Sequence, residues 1–299
     1  MRKRKLIPLL AMTVIFFANC KDEKMFEVEL YKNVLALIST EHYNTFQEPV
    51  ELTGEPVVGY LAATSGGTLA PDKDIVLKLE EDKEQFDFYN HTLHDVNKDA
   101  YARLLDKKHY EIAEYAIKIP KGSRTGVTPV TLKPEGLSPD SIYFISLKIV
   151  DDPKLSINKR KKSLLYQVLI KNQYATQENK SLYEMSGSLN NVVIAGNKQM
   201  FPLTKDQVRI TAGVTPFKSN VKDIKETSIV LKIDSNKVSI QPYGSLQVKM
   251  IDGNKDFPNS FHVEKAFGRT FNVFLLAYEY KVKKKTFTMF ERLRMEVKP

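Results

Sequence analysis

An all-β fold in two successive modules is the class this sequence predicts, and three observations carry it. Short segments rich in Val, Ile, Leu and aromatic residues recur between turn signals along almost the whole chain. Few of them reach the length of an ordinary helix. A polar stretch from Lys171 to Lys180 has no apolar period, and the strand pattern stops before it and restarts after it. With 299 residues and 42% hydrophobic content, the chain can fill two cores and is too apolar for extended disorder.

The N-terminal segment belongs to neither module. Met1-Arg2-Lys3-Arg4-Lys5 places four cations ahead of an apolar run from Leu6 to Ala18, the layout of a secretory signal peptide. That run is 13 residues, short of the roughly 20 that cross a hydrocarbon core, so residues 1–19 are expected to be removed. Cys20 follows and is the only cysteine, which excludes an internal disulfide. Phe17-Ala18-Asn19-Cys20 resembles the lipobox of bacterial lipoproteins, which implies that Cys20 becomes the acylated N-terminus. The alternative is a buried structural cysteine beside an ordinary cleavage site. Each buried methylene contributes about 0.8 kcal/mol, so two or three acyl chains would anchor the protein firmly. Residues 20–30 then form a lipidated leader. In it, Lys21, Asp22 and Glu23 resemble the signal that sends Bacteroidetes lipoproteins to the outer face of the outer membrane, which implies a protein facing the cell exterior.

Loss of residues 1–19 removes four cations and no acid, lowering the formal charge from +9 to +5. Spread among interspersed acids, this excess does not indicate a nucleic-acid partner.

Residues 31–172 read as the first module. Val34 to Ile38, Val57 to Ala63, Ile75 to Leu79 and Phe86 to Tyr89 have strand character. Asn97 to Leu105 reads as a helix, because Ala100, Leu104 and Leu105 fall at helical spacing and Asp95 or Asn97 can cap it. Tyr110 to Ile119 alternates, with Ile112, Tyr115, Ile117 and Ile119 mostly on one side. Lys121-Gly122-Ser123 turns the chain into a strand from Val127 to Leu132, and Leu137-Ser138-Pro139-Asp140 turns it again. Ile142 to Val150 alternates strongly, and Leu164 to Ile170 closes the module. Regularly spaced strands of this kind predict an immunoglobulin-like β-sandwich.

Residues 173–299 read as a second antiparallel β domain, a sandwich or a barrel-like sheet. Its strands are Leu182 to Leu189, Val192 to Ile194, Val208 to Ala212, Ser228 to Ile233, Val238 to Ile240, Leu246 to Ile251, Phe271 to Tyr280 and Phe287 to Met295. Asp252-Gly253-Asn254 and Lys281 to Lys285 read as hairpin connections. Phe271 to Tyr280 is apolar at nearly every position, so it is expected at the centre of a sheet, covered on both faces.

Tyr110 to Val150, with Ile117-Lys118-Ile119-Pro120-Lys121-Gly122, Val130-Thr131-Leu132 and Leu137-Ser138-Pro139-Asp140-Ser141-Ile142-Tyr143, resembles a domain of unknown function. That domain forms the N-terminal half of many Bacteroidetes surface lipoproteins, and a similar module precedes a family of surface endo-β-N-acetylglucosaminidases. Phe86-Asp87-Phe88-Tyr89-Asn90 fits the same pattern. Ser186-Gly187, Ile240-Gln241-Pro242-Tyr243-Gly244 and Thr270 to Arg294 resemble the uncharacterised C-terminal β domain that often accompanies it. The resemblance implies an adhesin-like or glycan-binding accessory protein of polysaccharide utilisation. It implies no catalysis, because the glycosidase domain is not part of this chain.

Chemistry-bearing motifs are few. Among the five histidines, His91-Thr92-Leu93-His94-Asp95 offers two imidazoles three residues apart and a carboxylate, with no second ligand cluster, so it reads as a loop and no metal is assigned. Asp252-Gly253-Asn254-Lys255-Asp256 starts like a calcium loop but has Phe257 where glycine is needed and Val263 where the bidentate Glu belongs. No phosphate loop or nucleophile elbow is present, and no cofactor is implied. Carboxylate pairs for glycoside hydrolysis are not nominated by any motif.

Sugar recognition relies on an aromatic face with polar groups around it. The chain has no Trp but 14 Tyr and 16 Phe. Tyr174, Tyr183 and Tyr243 fall near loops or strand ends and are the candidate platforms, with core or rim packing as the competing role. Lys159-Arg160-Lys161-Lys162 and Lys281 to Lys285 are either contacts for acidic glycans or solvated hairpin tips. Asp140-Ser141-Ile142 resembles the O-glycosylation motif of exported Bacteroidetes proteins, which makes Ser141 a candidate modification site. The expected function is non-catalytic capture of carbohydrate at the cell surface, with a surface-protein partner as the alternative.

Overall fold

The computed structural model describes residues 33–178 and 181–297. The expected signal peptide (residues 1–19), the expected lipidation site Cys20 and the expected export signal Lys21, Asp22 and Glu23 lie outside the described residues.

The N-terminal domain is a β-sandwich. One sheet of four strands runs β1 (Val34–Leu37), β3 (Val57–Gly66), β8 (Thr125–Leu132), β6 (Tyr110–Glu111). The other has six: β2 (Thr45–Glu51), β10 (Ser163–Lys171), β9 (Tyr143–Ile149), β4 (Ile75–Glu81) and β7 (Ala116–Ile119), with β5 (Arg103–Leu104) also on β9. Leu35, Leu61, Leu77, Ile117, Val130 and Leu147 fill the space between them, each almost fully removed from water. Period-2 alternation puts them there: β3 and β8 place every second residue inward.

Three local readings are corrected. Phe86 to Tyr89 is not a strand but the middle of a helix, α1 (Lys83–His94). Asp82 caps it, its carboxylate accepting from the Gln85 N–H at 3.2 Å, and Glu84 sits in the first turn. Asn97 to Leu105 is not a helix: a single 3-10 turn, Lys98–Ala100, gives way to the extended β5. Asn90 decides this by donating to Ala102 O at 3.2 Å and accepting from Ala102 N at 2.8 Å, occupying in a tertiary contact the groups a helix would use. Tyr110 to Ile119 is not one strand, since β6 pairs with β8 in the first sheet and β7 with β4 in the second.

The C-terminal domain is a single curled antiparallel sheet of ten strands. Its order is β12 (Val192–Gln199), β11 (Leu182–Leu189), β20 (Lys285–Val297), β19 (Arg269–Val282), β18 (Ser260–Ala266), β16 (Lys237–Pro242), β15 (Ser228–Asp234), β14 (Gln207–Thr211) and β13 (Phe201–Thr204), with β17 (Gln247–Met250) also on β19. A short helix, α2 (Val221–Thr227), precedes β15. The concave face gathers Tyr183, Met200, Ile210, Leu231, Leu276 and Leu293 into the core, which gives a half-barrel. β19 is central and buried along most of its length, as its continuous apolar run demands. Lys281 to Lys285 does form a hairpin, Val282 pairing with Lys285. Asp252-Gly253-Asn254 does not: β17 and β18 lie one after the other along the same edge of β19. Asn259 bridges the gap between them, accepting from Ala277 N at 2.8 Å and donating to Ile251 O at 2.7 Å.

The two domains meet around Arg209, which is only 1% exposed. Its guanidinium donates to both oxygens of Asp140 from the N-terminal domain, at 2.5 and 2.6 Å. It also lies against the rings of Phe201 and Tyr243, 4.8 and 4.9 Å from their centroids. A planar, forked cation fits this stacked, bidentate setting as a lysine would not. Beside it, Asn172 donates to Thr204 O and Gln207 O at 2.7 and 3.1 Å.

Candidate ligand-binding surface

The two outer faces of the N-terminal sandwich differ. On the six-stranded sheet, Phe144 and Leu165 are fully buried beneath Tyr89 of α1, and the Tyr89 and Phe144 rings meet edge to face at 4.8 Å. On the four-stranded sheet no element among the described residues covers the outward residues of β3 and β8, yet they are largely apolar. Tyr60 is 53% exposed, Val58 52% and Val127 58%.

Register builds this face residue by residue. Tyr60 lies directly across from Pro129, and Ala62 across from Val127. Val58, Thr131 and Glu111 form one row across β3, β8 and β6. The proline is tolerated because β6 reaches only to the Thr131 level, leaving β8 an edge strand at Pro129. From below, the backbone of β3 is supported by Tyr166, whose hydroxyl reaches up to Gly59: a Cβ there would sit 2.1 Å from it. That hydroxyl donates to Glu48 at 3.3 Å. Burial, with the negative Glu48 beside it, pushes the phenol far above its ordinary range. The neighbouring Tyr110 phenol is likewise raised by burial, against the Lys107 ammonium 4.8 Å over its ring.

The resulting surface offers an exposed aromatic ring flanked by proline and valine, a threonine hydroxyl and a carboxylate. The Glu111 carboxylate has no ion-pair partner among the described residues. Such a set can stack on the C–H face of a sugar ring and accept its hydroxyl protons.

The residues singled out by sequence lie elsewhere. Tyr174 and Tyr183 are 4% and 0% exposed, so neither can be a platform. Tyr183 donates to Tyr174 O at 2.8 Å and both rings pack edge to face on Phe274. Tyr243 is half-buried in the domain joint on Arg209. Ser141 follows Asp140 in that joint, its carbonyl accepting from Gln177 at 2.7 Å. In the Lys159 to Lys162 cluster, Lys161 is tied to Ser39 and Thr40, and Lys162 to Asp151 at 3.2 Å. His91 and His94 end α1, with His91 Nδ1 3.2 Å from the Tyr101 hydroxyl. Among the described residues no cluster of three metal-ligating side chains occurs.

Tyr60 and Glu111 were missed for a physical reason. Both faces of Val57 to Ala63 are apolar in sequence, which reads as a strand covered on both sides, whereas in the assembled sandwich one side is left open among the described residues.

Two family models match the chain, one described as an N-terminal domain over residues 29–156 and one described as a C-terminal domain over residues 162–294. No curated protein matches. A Bacteroides ovatus protein of unknown function has the same fold at 12% identity, with 88% of this chain and 94% of that one covered and a TM-score of 0.68. Another from the same organism is 13% identical, with 93% and 96% covered and a TM-score of 0.65. An auxiliary nutrient binding protein from Bacteroides thetaiotaomicron is 12% identical, with 87% and 94% covered and a TM-score of 0.62. At these identities the likeness is one of fold, shared over both domains at once. Matched in succession by an N-terminal and a C-terminal domain model that together cover residues 29–156 and 162–294, the protein belongs to the two-domain family those models describe, and it shares its fold with whole chains from Bacteroides.

Proposed function

We propose that the protein is a non-catalytic lipoprotein, anchored through Cys20 to the outer membrane and facing the exterior, that captures carbohydrate on the open face of its N-terminal sandwich. The observation that carries the reading is Tyr60, half exposed beside Pro129 and next to the Thr131 and Glu111 row, on a sheet face that no other element among the described residues covers. Two further points support it. The fold is shared with a protein described as nutrient binding, and neither matching family model describes an activity. The anchor rests on the sequence from Met1 to Glu23.

The test is a glycan-array screen of the soluble chain, followed by calorimetry on any hit with wild type and Tyr60→Ala. Specific micromolar to millimolar binding that Tyr60→Ala weakens at least tenfold supports the reading; a hit that Tyr60→Ala leaves unchanged removes this face from it. The breadth of the exposed apolar face, which extends to Val34 and Ile38 at 38% and 39% exposure, favours a protein partner as the second reading. A clean negative array together with a surface protein whose capture requires Tyr60 would establish that instead. For the anchor, Cys20→Ala protein is expected in the soluble fraction or as uncleaved precursor, and its continued partition with the outer membrane would overturn the lipidation.

A further inference from the structure

Lys198 and Glu291 face each other inside the curled C-terminal sheet, their side chains 3% and 0% exposed and Nζ 2.5 Å from Oε2. The other carboxylate oxygen accepts from the Tyr278 hydroxyl at 2.8 Å, and that hydroxyl accepts from the Gly213 N–H at 2.9 Å. Both oxygens of Glu291 are therefore engaged. The ammonium is not: it carries three donors, and Glu291 is its one acceptor among the described residues. Burial pushes Lys198 below its ordinary value, against the opposing pull of Glu291. Buried donors are normally satisfied, so the environment of the two remaining N–H groups needs an account.

Lys198 lines a cleft of about 380 Å³ between β12 and the segment that follows β14. Its wall includes Met185 and Gly213, and its rim is Leu182, Val214 and Phe217, which are 51%, 50% and 49% exposed. A concave apolar site with a few convergent polar groups, in the size range of roughly 300–1,000 Å³, is the form of a small-molecule pocket. The charge state of the Lys198–Glu291 pair behind its wall selects the ligand. Glu291 already neutralises Lys198, so an anion entering would meet a carboxylate in a poorly screened interior, whereas a hydroxyl oxygen can accept an ammonium proton without adding charge.

We propose that this cleft binds a small neutral polyol of monosaccharide size, with a hydroxyl oxygen on Lys198 Nζ and its carbon face against Phe217. The site is separate from the Tyr60 face, and either can fail without the other.

The test is calorimetry of the full chain with glucose, galactose, mannose and N-acetylglucosamine, and with glucuronate as the anionic comparison. Saturable binding of at least one neutral sugar is expected. It should weaken at least tenfold in Lys198→Met and in Leu182→Arg, which fills the rim from an exposed position, and stay unchanged in Tyr60→Ala. If Lys198→Met does not fold, Leu182→Arg decides alone. The proposal is overturned if none of the four neutral sugars binds saturably, if Leu182→Arg leaves binding within twofold, or if glucuronate binds more tightly than glucose.

Discussion

The six-stranded sheet of the N-terminal sandwich carries a helix on its outer face, and the four-stranded sheet opposite carries none among the described residues. Both present apolar residues outward. On the covered side these are Phe144 and Leu165, both 0% exposed under Tyr89, with Tyr43 packing on Tyr89 at 5.5 Å. On the open side they are Val58, Tyr60 and Val127, all more than half exposed. The contrast separates two uses of the same residue types: apolar area removed from water stabilises the domain, and apolar area left in water is available to a partner.

The comparison breaks most readily on the covered side. Phe144→Ala is expected to cost about 3–5 kcal/mol, because it empties space beneath Tyr89 that the helix cannot follow into. A urea transition should show a lower midpoint at unchanged slope, and a loss below about 1 kcal/mol would mean that α1 is not a structural cover. Asp82→Ala is next, at about 1 kcal/mol, through loss of the N-cap of α1. Here amide exchange should rise in residues 83–86 first; equal protection in mutant and wild type would count against the cap.

Tyr60→Ala sharpens the contrast from the open side. Its stability should stay within about 0.5 kcal/mol of wild type, while glycan capture falls at least tenfold. A variant as damaging as Phe144→Ala would show instead that Tyr60 is structural.

The smallest effect concerns Asp74, at the edge of the covered sheet. The Lys118 ammonium, 2.6 Å away, and the Lys121 N–H at 2.8 Å hold its carboxyl below the ordinary value. A depressed folded-state value means that the contribution is present above the unfolded-state value and is lost as pH falls through the lower, folded one. The gap between wild type and Asp74→Asn in denaturant midpoint should therefore shrink from pH 7 toward strong acid. A gap that widens on acidification would contradict the assignment.

Much of the fold was legible. β3, β8, β9, β10 and β19 follow from alternation or continuous apolar runs, and the hairpin at Lys281 to Lys285 follows from its polar tip. Where reading failed, long-range partners outvoted local pattern. Asn90 pulls residues 101–104 out of a helix, and Asn259 joins β17 and β18 along one edge where a turn signal suggested a hairpin. The candidate site was less legible still. The tyrosines near strand ends proved to be core or joint residues, because proximity to a loop in sequence says little about burial in space.

The all-β character and the succession of two modules were already written in the sequence, since periodicity, turn chemistry and composition act locally. The packing of the whole chain decided which apolar face is left open among the described residues, which cation is buried in the joint, and that Lys198 meets Glu291 across residues 93 apart in the chain. Exposure and pairing depend on what the rest of the chain packs against a residue, and no local window contains that information.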